Sequence, residues 1–87
     1  MKISVELTYQ VTPSDRELET IRDAGHMLTS NPKSVLVQVI EKDDRYTVEL
    51  EFTLPTEAQC KVVSRVSDEI QRWLMEPYED ICISFGK

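Results

Sequence analysis

Three carboxylates are the first residues here whose type and spacing suggest chemistry. Glu49 and Glu51 stand two apart in the alternating run 45–54, and Glu6 sits at the centre of a second alternating run, 1–11. Residues two apart in an extended chain share a face. If the two runs pair, all three acids come to one surface. Carboxylates that close repel one another and attract a cation or a basic partner. The plainer reading is a solvated polar face with Lys2 and Arg45 nearby. Acid–base catalysis would also need a pocket, a nucleophile or an oxyanion donor. No motif marks one, so an enzyme ranks third among the readings.

Sulfur and imidazole are sparse. Cys60 and Cys82 form no CxxC unit, and with His26 they are too few for a zinc site. Neither a metal nor a cofactor is expected. The two thiols are expected to stay reduced, Cys60 on a helix and Cys82 on the far side of a sheet, beyond the ~7 Å between Cα atoms that a disulfide spans.

The elements that must position these groups are legible. Ile3, Val5, Leu7, Tyr9 and Val11 alternate with Lys2, Ser4, Glu6, Thr8 and Gln10, which predicts a strand over 1–11 with one buried face. A helix follows, opened by Ser14 and Glu17 as a capping box or by Thr12 with Pro13 in the first turn. Its apolar stripe is Leu18, Ile21, Ala24, Gly25 and Leu28, and Gly25 suggests close packing on a sheet. Asn31-Pro32 ends it. Strands over 34–41 and 45–54 flank a two-residue turn at Asp43-Asp44, which sets Val35 against Phe52, Val37 against Leu50 and Val39 against Val48 in strict register, or Tyr46 with a stagger. A second helix is capped by Thr56 with Gln59, presents Val62, Val63, Val66, Ile70, Trp73 and Leu74, and stops at Pro77. A short strand over 79–85 closes the chain. The order is βαββαβ, the ferredoxin-like α+β arrangement: a four-stranded antiparallel sheet, helices on one face, first and third strands central. The 87 residues are read as one domain.

Charge narrows the partners. Ten Lys and Arg stand against sixteen Asp and Glu, a net charge of −6, and no three cations are adjacent. Nucleic acid and anionic membrane surfaces both select clustered cations, so neither is expected. Base stacking on the open sheet face would need aromatic residues there, but Tyr9, Tyr46 and Phe52 fall on the other parity. With no apolar run near ~20 residues and no signal-like N-terminus, the expected compartment is the cytoplasm.

One strand breaks the usual pattern. The run SVLVQVIE is expected at a sheet edge, yet Leu36 and Ile40, beside Gln38, project from the open face, and no charge occurs from Ser34 to Ile40. Edge strands normally carry charge, proline or a bulge against further pairing. The first reading is therefore a small non-enzymatic interaction or regulatory domain, a homodimer or a binder of another protein through Leu36, Gln38 and Ile40. The runner-up is a small-molecule or cation-binding domain on the Glu6, Glu49 and Glu51 face. A fold of the segment after Pro77 across the same edge is the structural alternative.

Overall fold

The computed structural model describes residues 2–29, 31–54 and 59–86, the side chains of 59–64 and 86 excepted. Six elements follow in order: β1 (Lys2–Tyr9), α1 (Asp15–Leu28), β2 (Leu36–Lys42), β3 (Arg45–Thr53), α2 (Gln59–Trp73) and β4 (Asp80–Gly86). The sheet runs β2-β3-β1-β4 with every neighbour antiparallel, the ferredoxin-like α+β arrangement.

Alternation explains the core. Ile3, Val5, Leu7 and Tyr9 of β1 and Val48, Leu50 and Phe52 of β3 are at most 1% exposed. Above them lie Ile21 and Ala24 of α1 with Val66 and Ile70 of α2, so both helices cover the same side. Burying a side chain of this size contributes roughly 1.5–3 kcal/mol. The two central strands supply seven of the twelve buried apolar side chains among the described residues. Gly25 lies where α1 comes closest to the sheet: a Cβ there would stand 2.9 Å from Leu50 Cδ1 and 3.2 Å from Val35 Cγ1.

The hairpin matches the expected register. Val37 pairs with Leu50, Val39 with Val48, and Lys42 with Arg45 around the turn. Asp43 and Asp44 have φ of 52° and 61°, the left-handed values that a two-residue turn of the I′ kind demands.

Several boundaries differ from the expectation. β1 ends at Tyr9 rather than residue 11, and Val11 is 76% exposed. Its partners explain this, because the ladders stop at Tyr9↔Tyr46 and Thr8↔Asp80 and leave Val11 nothing to pair with. β2 starts at Leu36 because Pro32–Ser34 form a 3-10 turn. There Ser34 Oγ accepts from Thr53 N at 3.0 Å and donates to the Asn31 carbonyl at 2.7 Å, doing with a side chain what a strand does with its backbone. Trp73, expected in the buried stripe, is the last residue of α2 and 38% exposed, while Leu74, expected in the same stripe, packs on the core. Val39, on the helix side of β2, is 44% exposed because the helical cover stops short of this edge. The Thr56 cap and the Val62 and Val63 side chains lie outside the described residues.

Ser14, not Thr12, caps α1 and accepts from Glu17 N at 3.2 Å. The reciprocal half of the capping box is filled from elsewhere. Glu76, just past α2, accepts the Ser14 backbone N–H at 3.1 Å and the Ser14 hydroxyl as well.

Candidate functional site

The strand registers assemble the open face in rows. Leu36 lies beside Glu51, then Ser4 and Ser84. Gln38 lies beside Glu49, then Glu6 and Cys82. Ile40 lies beside Thr47, then Thr8 and Asp80. All six residues singled out in the sequence thus share one surface. Glu6 stands directly opposite Glu49, a cross-strand pairing of like charges, whereas Glu51 is engaged by Lys2 at 3.2 Å. Cys82 is a free, exposed thiol on this same face. Of Cys60 only the backbone, in α2, falls within the described residues, and its thiol lies outside them.

At the β2 end of these rows the surface turns apolar. Leu36 is 54% exposed and Ile40 42%, with Gln38 exposed between them. Val39 is exposed on the opposite side of the same strand, so apolar surface wraps around the edge. The backbone there is open too. In an antiparallel pair, alternate residues direct N–H and C=O to the partner strand. The two-residue turn makes Lys42↔Arg45 a bonded pair, so Ile40, Gln38 and Leu36 bond to β3. Val37, Val39 and Glu41 point theirs outward. The segment after Pro77 does not cover this edge. It crosses the end of β1 instead, where Glu79 N donates to the Thr8 carbonyl at 2.7 Å and the Glu79 carboxylate accepts from Arg45 Nε at 2.9 Å.

That crossing builds a feature which sequence reasoning missed. A cleft of about 550 Å³ is lined by Val11, Pro77 and Tyr78 together with Glu76 and Glu79. Both acids already have partners: Glu76 holds Ser14, and Glu79 holds Arg45 and the Gln10 side-chain amide. Beneath the cleft, Glu17 is 1% exposed and accepts from Tyr9 Oη at 3.2 Å, Met75 N at 3.0 Å and Glu76 N at 2.9 Å. Burial, then the charge of Glu17 and its hydrogen bond, then the charge of Glu76, push the Tyr9 phenol well above its usual range. The Tyr78 ring meets Tyr9 edge-on, with centroids 6.4 Å apart. No sequence signal could have paired Glu17 with Met75 and Glu76, because nothing local distinguishes it from a capping-box glutamate.

His26 is exposed on α1. Among the described residues no group of three or more His, Cys, Asp or Glu is placed to hold a metal ion. Among the same residues, no helix is long and apolar enough to cross a membrane. Comparison with family models and with curated proteins finds no match for this chain.

Proposed function

We propose that this protein is a non-enzymatic interaction domain that binds by strand addition at the β2 edge. The observation that carries the reading is the coincidence, on one short strand, of outward-facing backbone groups with exposed Leu36, Val39 and Ile40. An added strand satisfies the first, and its side chains cover the second. Each of the three is already about half covered, so completing its burial contributes on the order of 1 kcal/mol. Backbone pairing supplies affinity and direction, and the side chains that cover these three residues select the register.

Amide hydrogen exchange tests this at single residues. The Val37 and Val39 N–H groups should exchange slowly when the edge is occupied, in the concentrated pure protein or in an extract of the producing cells. Changing Leu36 to Lys should restore fast exchange at both. If these two amides exchange freely under every condition, strand addition at β2 is wrong.

A further inference from the structure

We infer that the strand added to β2 is the β2 of a second copy, running antiparallel with Gln38 facing Gln38 across a two-fold axis. The inference rests on the strand-addition reading above and specifies its partner. The hydrogen-bond phase comes first. Val37 and Val39 offer their backbone groups outward, so a second copy must bring its own Val37 or Val39 opposite them. With Gln38 on the axis, Val37 of each copy bonds to Val39 of the other, giving four backbone hydrogen bonds at the centre.

Side chains select among the registers that keep this phase. With Gln38 on the axis, Leu36 lies opposite Ile40 of the second copy on the open face, and the two amide side chains meet between these apolar pairs. Placing Val39 on the axis instead sets Leu36 against Lys42 and Gln38 against Ile40. Placing Val37 there sets Leu36 against Gln38 and Ile40 against Ser34. Only the Gln38-centred register pairs apolar with apolar and amide with amide along the whole segment. The exposed Val39 then covers Val37 of the other copy on the helix side.

Charge agrees with this direction. Antiparallel pairing carries the acidic turn of each copy, Asp43-Asp44, toward Lys33 in the 3-10 turn that precedes the other's β2. A parallel alignment would bring acidic turn to acidic turn. The product is one continuous sheet in the order β4-β1-β3-β2-β2-β3-β1-β4, with both acidic open faces on the same side.

Cysteine cross-linking reads the register directly. In the full chain with Cys60→Ser and Cys82→Ser, residues facing each other in an antiparallel pair fall within the ~4.4–6.8 Å between Cα atoms that a disulfide accepts. Gln38→Cys should therefore cross-link to a dimer on mild oxidation. Neither Leu36→Cys nor Ile40→Cys should do so alone, yet an equimolar mixture of the two should. Charge variants give a second readout without oxidation: Leu36→Lys and Ile40→Glu should each raise the dimer Kd at least tenfold, and mixing them should restore association. Sedimentation of the unaltered protein should show a concentration-dependent dimer.

A strict monomer at millimolar concentration overturns the proposal, as does Leu36→Cys cross-linking as readily as Gln38→Cys. Val37 and Val39 amides protected only in extract, with the pure chain monomeric, would sink the second copy and leave strand addition standing. Amides open everywhere would remove both.

Discussion

Glu17 and Glu76 hold each other's helix. The buried Glu17 carboxylate, at the start of α1, accepts the Glu76 backbone N–H at 2.9 Å just past the end of α2. Glu76 returns the contact through its own carboxylate, which caps Ser14 at 3.1 Å. Two acids of like charge can cooperate because each receives donors from the other's segment rather than facing the other directly.

Removing Glu17 should therefore cost more than removing its phenol partner. Glu17→Ala strands the buried Tyr9 hydroxyl, at about 1–3 kcal/mol for an unpaired buried group, and takes the acceptor from the part-buried Met75 and Glu76 N–H groups as well. Tyr9→Phe removes one donor and leaves Glu17 two, for a loss of about 1 kcal/mol. Urea denaturation of both variants beside the parent gives the order, and equal losses would contradict it.

Alkaline pH should expose the same tyrosine. Its folded pKa is raised by burial first and by Glu17 second, above the ordinary value of 10.0. The stabilisation is complete below that value. It is lost as pH climbs from there toward the folded pKa, because the unfolded phenol releases its proton first. Stability should fall with pH above about 10, and Tyr9→Phe should flatten that fall. Denaturant midpoints across the alkaline range measure both slopes.

Gly25→Ala should destabilise slightly despite better helix propensity. Alanine recovers about 1 kcal/mol in a helix interior. Its Cβ would stand 2.9 Å from Leu50 Cδ1, and Leu50 is fully buried, with little room to yield. A net loss of about 0.5–1 kcal/mol is expected, with Gly25→Val losing about 2–3 kcal/mol by overpacking. Thermal melts of the two variants provide the check.

At the hairpin, Asp44→Gly should stabilise. Left-handed backbone costs a non-glycine residue roughly 1 kcal/mol, less for Asp, and glycine's freer unfolded chain returns part of the gain. A net gain of about 0.5 kcal/mol should appear as a raised melting temperature.

On the open face, Glu6→Lys should also stabilise. Like charges directly opposite in a sheet are unfavourable by a few tenths to about 1 kcal/mol, and Glu6 faces Glu49. The gain should shrink as salt is added. A gain unchanged by salt would point to something other than charge.

The sheet was legible because its signals are local and repeat. Alternation in the first run, and a two-residue turn that locks Val37 to Leu50, dictate faces and register without further information. The row of Glu6 with Glu49 followed by parity. What stayed hidden depends on distant partners. Ser14 and Glu17 have capping-box spacing, yet Glu17 turns inward because donors from Met75 and Glu76 reach it. Val11 continues the alternation past the point where any strand remains to pair with it. Val39 has core parity, but no periodicity states how far a helix extends over an edge.

Sheet order also dictates when the fold can close. β1, made early, takes its place between β3 and β4, and its ladder joins Lys2 to Gly86. During synthesis β1 has an unfilled flank until β4 emerges, and Glu17 lacks its backbone donors until Met75 and Glu76 follow it out of the ribosome. Pairings this far apart in sequence form slowly. For that interval the edge opposite β2 is a central strand, β1, whose flank β4 later seals by taking over as the edge.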